Sequence, residues 1–417
     1  MIRSTARRGR PCAILVFLAV LAVTVVTATG VARGASSGAF LATEPSRTAS
    51  FTVRAQDLGD FSAIPPVIRS PAAIVVHMGT GRVLYEWDAY ERRPMASTTK
   101  IMTAILVLQQ MDLAERVVVS ENAAATVEPK TWLRPGDALT VEQLLYGLLV
   151  RSSNSAAVAL AEACSGSVAA FVAGMNEKAV EVGMRDTHFV NPSGLDGEGH
   201  HSTAADMAIV ARYAMQDETF RRMVSTRSYT LSLPGRDEPL VFENTNELLK
   251  KYDWVTGVKT GLTPRAEQCL VCSGTLDGVS IISVVLGQPV PDVCWAESKT
   301  LMDYGFAQYR HLTLLQEGRV VAEAAVPYQV DAQVQLVTES AVDVELYKED
   351  SATTSVVLER DLVLPVSEGE GFGYVNVTVE GKVVDTVGLV AAQSFGKTTL
   401  GDKIAYFFAR VARWFGS

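Results

Sequence analysis

The sequence predicts a mixed α/β (α+β) protein: an antiparallel sheet flanked by helices, then an all-β, sandwich-like domain, then a C-terminal amphipathic helix. Three observations carry this. Helical and strand-like apolar patterns alternate up to about residue 306, short Val-rich stretches separated by turn residues replace them up to about residue 390, and a helical period returns only at the end. The chain has 417 residues, 48% hydrophobic and 20% charged, which is the length of two or three domains and a globular composition. A small disulfide scaffold, a disordered chain and a polytopic membrane protein are thereby excluded. Lys plus Arg number 37 against 46 for Asp plus Glu, the wrong balance for a nucleic-acid partner.

Residues 1–35 read as an export signal, with a basic stretch to Arg10, an apolar run over residues 13–28, and small residues Ala28, Gly30, Gly34 and Ala35. This segment holds five arginines and no acid, so its removal takes the formal charge from −9 to −14. An uncleaved anchor is the alternative, disfavoured because the apolar run is shorter than the roughly 20 residues a membrane span needs. Either way the body is expected outside the cytoplasm, at the outer face of the cytoplasmic membrane. Cys12 precedes the apolar run, the wrong place for a lipid-modified cysteine. Residues 36–65, rich in Ser, Thr, Ala and Pro, read as a linker.

The first domain is expected over residues 66–306. Residues 72–76 and 82–87 form a β-hairpin around Gly79-Thr80-Gly81. Residues 98–111 are apolar or small at almost every position, the pattern of a helix buried all round. Thr140 and Gln143 have capping-box spacing ahead of a helical run over 144–150; a polar break at 151–155 separates it from a second run over 156–164. Residues 257–263, 268–274 and 279–286 read as three strands, the last two joined by a turn containing Asp277-Gly278. Residues 307–395 form the all-β module. In residues 396–417, Leu400, Ile404, Phe407, Phe408, Val411, Trp414 and Phe415 recur at helical spacing, with Lys403, Arg410 and Arg413 between them. Such a helix suits a membrane surface, the alternative being that it docks on the protein's own body.

The chemistry concentrates in three short strings. Ser97 and Lys100 stand three residues apart at the start of the buried helix, on one face. A serine hydroxyl becomes a nucleophile only when a base takes its proton, and a lysine serves only if burial or a second cation keeps its amine neutral. Alone this pair is a weak signal. Ser152-Ser153-Asn154 in the break between helices and Lys259-Thr260-Gly261 on a predicted strand complete the trio Ser-x-x-Lys, Ser-x-Asn and Lys-Thr-Gly, in order and in the expected context.

On these residues, with Arg93 to Ala104, Asn191-Pro192-Ser193-Gly194-Leu195-Asp196, Ser202 to Ala208 and Asn244-Thr245-Asn246, residues 72 to about 306 resemble the serine D-alanyl-D-alanine carboxypeptidases among the low-molecular-mass penicillin-binding proteins. The resemblance implies a penicillin-binding, β-lactamase-like transpeptidase fold, a β-rich C-terminal domain and often a terminal membrane anchor. It implies Ser97 as nucleophile, Lys100 as base and Ser152 as proton relay. Asn154 would hold the peptide and steady Lys100, and Lys259 and Thr260 would bind the terminal carboxylate. Gly261 would let the substrate strand lie close, and the backbone N–H groups of Ser97 and Leu262 would form the oxyanion hole. The implied substrate is a peptidoglycan stem peptide ending in D-Ala-D-Ala, with β-lactams as covalent inhibitors and no cofactor.

The chain departs from that pattern at Leu262, where many relatives have His, at Ala266-Glu267, where Ala-Gly is usual, and at Ser153, commonly Gly or Asp. Glu267 would add a carboxylate near the anion-binding end. A class A β-lactamase needs a Glu-x-x-Leu-Asn string, which does not occur. An endopeptidase or transpeptidase shares the same catalytic residues, and a non-catalytic wall-binding module would not need them intact. Cys269 and Cys272, three apart on a strand, point to opposite faces and read as packing residues; a disulfide among Cys164, Cys269, Cys272 and Cys294 stays open. His188, His200 and His201 with Asp196 and Asp206 read as a polar loop in preference to a metal site.

Overall fold

The computed structural model describes residues 47–415, apart from residues 49, 60, 62, 130, 131, 234, 330 and 331. The expected export signal lies outside the described residues. The first domain is built on a five-stranded antiparallel sheet, in spatial order Val83–Trp87, Ala72–His77, Val279–Gln288, Glu267–Leu276 and Val255–Thr263. Its apolar runs are continuous because both faces are buried: Ile74, Val76, Val271 and Ile282 point into one core, while Ala73, Val75, Leu270 and Ile281 point into the other. Helix Pro291–Ala307 covers the second face. The first is covered by a helical layer that includes Lys100–Gln110, Val141–Leu149, Asn154–Ser165, Val168–Val182 and Ala204–Ala214.

The helix expected over residues 98–111 begins at Lys100, preceded by a 3-10 turn over Ala96–Thr99, and it is buried from Lys100 to Val107. The Thr140–Gln143 capping box forms, with each side chain accepting from the other residue's backbone N–H. Helices Val168–Val182, Ala204–Ala214 and Pro291–Ala307 are not among the elements expected from the sequence.

The β-rich domain consists of a seven-stranded antiparallel sheet and a two-stranded ribbon, Tyr309–Leu315 with Val342–Tyr347. Leu314, Val344 and Leu346 from the ribbon pack with Val375, Val377, Val387 and Leu389 from the sheet in one core, as in a sandwich. The segment read as a linker differs from expectation. Arg47–Thr48 pairs with Val320–Ala325 at one edge of the large sheet, and Thr52–Arg54 pairs with Ser351–Leu358 at the other. Thr48 and Thr52 are four residues apart, so the two edges lie within about 14 Å of each other and the sheet is curled almost closed. Two- and three-residue strands of Arg, Thr and Val carry too little apolar periodicity to be read from sequence.

His77 and Arg82 join the domains. His77 Nε2 lies 2.9 Å from Glu345 and its ring stacks on Tyr309, while Arg82 pairs with Asp350 at 2.9 Å. The terminal helix spans Leu400–Phe415 and leaves Leu400, Ile404, Phe407 and Phe408 exposed, the last two at 62% and 64%.

Candidate active site

Ser97 sits, half-exposed, in the 3-10 turn that leads into the buried helix, so one turn later Lys100 lies beneath it, fully buried. Lys100 Nζ is 2.8 Å from Ser97 Oγ, 2.7 Å from Asn154 Oδ1 and 2.5 Å from the Ser193 carbonyl oxygen. A neutral amine has two hydrogens and one lone pair. Two carbonyl oxygens take the hydrogens, so the lone pair is left facing the serine hydroxyl. Burial and then the nearby Lys259 hold Lys100 well below the usual lysine range, with Glu128 opposing them. The geometry and the electrostatics therefore both fit a proton acceptor.

The polar break between the helices is a turn in which Ser152 adopts a left-handed conformation (φ 65°) and Ser153 caps helix Asn154–Ser165 by accepting from the Ala156 N–H at 3.1 Å. Ser153 Oγ also accepts from Trp132 Nε1 at 2.8 Å. Asn154 Nδ2 donates to the Val127 carbonyl at 2.8 Å, which turns Oδ1 toward Lys100.

Strand Val255–Thr263 is the outer strand of its sheet, and among the described residues no strand pairs its other edge. Lys259, 1% exposed, is lowered to about 7 by burial, and its Nζ donates to the Thr260 carbonyl at 3.0 Å. Thr260 Oγ1 lies 2.6 Å from Thr245 Oγ1. Gly261 is pressed against the Ser97 turn: a Cβ there would stand 2.9 Å from Ala96 Cβ and 3.0 Å from both Met95 O and Ser97 N. This side of Gly261 therefore needs the absence of a side chain to let the strand lie against the Ser97 turn. Leu262 is 66% exposed, just past that contact.

Ser97, Lys100, Asn154 and Lys259 are thus brought together, with Thr260 and Gly261 adjoining on the Lys259 strand. The loop at residues 191–194 belongs to the resemblance by its string alone, with no role evident from sequence. There Asn191 Oδ1 accepts from the N–H groups of Ser193 (3.1 Å) and Gly194 (2.7 Å), fixing the carbonyl that holds Lys100. Glu267 lies opposite Thr263 in the hairpin register, and the acid that acts on Lys100 is Glu128.

His200 is buried behind the site. It accepts from the Val190 N–H at Nδ1 (3.0 Å) and meets Thr99 Oγ1 at Nε2 (2.9 Å); burial, then His188 and His201, lower it to about 4, so it is neutral. Cys269 and Cys272 fall in the two different cores, as their spacing predicts, and Cys164, Cys269, Cys272 and Cys294 are all free.

Residues 60–290 match the family model described as D-alanyl-D-alanine carboxypeptidase, and residues 309–397 match that of the penicillin-binding protein 5 C-terminal domain. Bacillus subtilis D-alanyl-D-alanine carboxypeptidase DacF is 32% identical over 79% of this chain and 89% of its own length. A D-alanyl-D-alanine carboxypeptidase of Streptomyces sp. (strain K15) is 36% identical over 58% and 89%. Among solved structures, the carboxypeptidase DacD of Francisella tularensis superposes with a TM-score of 0.58 at 25% identity, covering 81% of this chain and 96% of that one. The Streptomyces K15 protein, there titled a DD-transpeptidase, does so with 0.56 at 35%, covering 58% and 99%. With a serine, a desolvated lysine, an asparagine and a second buried lysine assembled from the three strings that define this enzyme class, the chain belongs to the D-alanyl-D-alanine carboxypeptidase family.

Proposed function

We propose that the protein is an exported serine-type carboxypeptidase that removes the terminal D-alanine from peptidoglycan stem pentapeptides through an acyl-enzyme. The observation that carries this reading is the 2.8 Å contact between Ser97 Oγ and the Lys100 amine, which burial and then Lys259 hold well below the usual lysine range. The Lys259 ammonium and the Thr260 hydroxyl receive the substrate's terminal carboxylate, which brings the last peptide carbonyl over Ser97. Lys100 takes the serine proton as Oγ bonds to the carbonyl carbon. The oxyanion is held by the N–H groups of Ser97 and Leu262, and the C–N bond breaks as the proton passes through Ser152 to the departing amine of D-alanine. Water, deprotonated by the same lysine, then cleaves the ester and releases the shortened peptide. A β-lactam carries its carboxylate and its reactive carbonyl in the same relation, so it acylates Ser97 and leaves slowly.

The terminal helix attaches the enzyme to a membrane surface. Supporting this are its exposed Leu400, Ile404, Phe407 and Phe408, with Lys403 and Arg410 on the same short helix. Transpeptidation is the second reading, favoured by the K15 relative, which is named both a carboxypeptidase and a DD-transpeptidase. Incubating the protein with a D-Ala-D-Ala pentapeptide, with and without an acceptor amine, tests both. Free D-alanine with tetrapeptide is expected, a cross-linked product would favour the second reading, and no D-alanine in either case would refute both.

A further inference from the structure

Glu128 lies outside the three strings, on the loop after the short helix Glu121–Ala124 and well before Ser152 in sequence. Its Oε2 accepts from the Asn154 N–H and from Ser153 Oγ, both at 2.9 Å, and its Oε1 accepts from Ser155 Oγ at 2.7 Å. Donor counting shows what this requires. Ser153 Oγ already accepts from Trp132 Nε1 and the Ala156 N–H, so its two lone pairs are occupied and its one hydrogen goes outward. Asn154 offers a backbone N–H and Ser155 a hydroxyl hydrogen. With the Ser155 N–H, 3.4 Å from Oε2, four donors converge on one group, and an ionised carboxylate accepts all four; an amide, with only one oxygen, does not. The position at the start of helix Asn154–Ser165 also favours a negative charge.

The neighbouring residue completes the clamp. Val127 O takes Asn154 Nδ2, while Glu128 takes the Asn154 backbone, so residues 127 and 128 fix both ends of the side chain that meets Lys100. We propose that Glu128 is a positioning residue of the acylation step, acting through Asn154 on the Lys100 amine and supplying the negative charge that balances Lys259 across the site. This rests on the acyl-enzyme reading above. Its electrostatic side is consistent with the direction in which Glu128 acts on Lys100, opposite to that of Lys259.

The test follows the rate of Ser97 acylation by a labelled penicillin against pH for the full chain, for Glu128→Gln and Glu128→Asp, and for Glu162→Gln. Glu162 is the control: it accepts from Ser120 Oγ and Asn122 Nδ2 at the other end of the same helix, away from Lys100. For Glu128→Gln the plateau rate should fall about 10- to 100-fold, and the acid limb should move to lower pH because a charge that favours the Lys100 ammonium is gone. Glu128→Asp keeps the charge, so its acid limb should stay in the wild-type position with an intermediate rate. Glu162→Gln should alter melting temperature only.

A Glu128→Gln protein with the wild-type rate and profile overturns the proposal, and so does one whose rate and melting temperature fall together with the acid limb unmoved. Should that variant not fold, Glu128→Asp decides: a wild-type rate overturns the proposal, and a loss of tenfold or more in a protein with near wild-type melting supports it. If the unaltered protein forms no adduct at all, the acyl-enzyme reading fails instead, which is a distinguishable result.

Discussion

Gly194 and Gly261 close on the Ala96–Ser97 peptide from two different segments of the chain. A Cβ at Gly194 would stand 1.9 Å from the Ala96 carbonyl oxygen and 2.9 Å from Ser97 N, and one at Gly261 3.0 Å from that same nitrogen. Ala96 itself is left-handed (φ 47°), a conformation that costs on the order of 1–3 kcal/mol and persists only when its surroundings impose it. The two glycines are what leave room for it.

Gly194→Ala should therefore be the more damaging of the two substitutions, since Gly194 also has φ 86° and its obstacle is backbone. We expect a loss of about 2–4 kcal/mol in stability and at least 100-fold in penicillin acylation. Gly261→Ala should cost less stability and a comparable share of the rate. Chemical denaturation and adduct formation measured on the same samples check this; wild-type acylation by Gly194→Ala would contradict it.

Ser97→Ala should yield neither D-alanine nor a covalent penicillin adduct by intact mass, while Lys100→Met should fold and bind but acylate at least 1,000-fold more slowly. An adduct on Ser97→Ala would move the nucleophile elsewhere.

The proposed mechanism requires opposite states of the two lysines, Lys100 neutral and Lys259 charged. For the free enzyme, kcat/KM should fall on the alkaline side of about pH 7, as Lys259 loses its proton, and on the acid side as Lys100 gains one. Once a substrate carboxylate is bound it favours the Lys259 ammonium, so the alkaline limb of kcat should lie at higher pH than that of kcat/KM. Identical limbs in both profiles would argue that Lys259 does not hold the carboxylate.

Stability carries the same signature. Lys259 is lowered to about 7, so between there and its ordinary value of 10.5 the unfolded chain binds more protons than the folded one, and this residue alone raises stability with pH by up to about 1.4 kcal/mol per unit, with Lys100, also lowered, acting in the same direction. The buried thiols of Cys269 and Cys272 are raised to about 12, so above about pH 8.5 the unfolded chain loses protons that the folded one keeps, and stability falls. Melting temperature should climb from pH 7 and turn over above about 8.5. Lys259→Met should melt higher than wild type at pH 7 and lose part of the climb; a lower melting temperature would mean that the buried ammonium is better compensated than its surroundings indicate.

Cutting the chain after residue 397 should leave hydrolysis of a soluble pentapeptide unchanged and abolish binding to vesicles containing anionic lipid, with Phe407→Asp giving a partial loss in co-sedimentation. Equal binding by the shortened chain would remove the helix as the attachment.

The candidate site residues were legible because each of the three strings combines a chemical function with a local structural role: Ser97 and Lys100 share a helix turn, Ser153 caps a helix, and Gly261 makes room on a strand. The strands of the first domain were legible from unbroken apolar runs, since both sheet faces are buried. Glu128 was not, because a carboxylate 24 residues ahead of Ser152 acquires meaning only once the loop folds back on the helix start. Nor was Ser193, which acts through a backbone carbonyl that any residue has. The Arg47–Thr48 and Thr52–Arg54 strands were hidden for a third reason: edge pairing through main-chain groups demands little of the side chains.

Those two edge strands make the last-synthesised domain dependent on residues made near the beginning. Without them the curled sheet has two open rims of unpaired amides and carbonyls, the kind of surface that recruits neighbouring chains. An excised β-rich domain beginning at residue 309 would lack both strands, so it should self-associate in solution where the same domain supplied with a peptide spanning residues 47–58 stays dispersed.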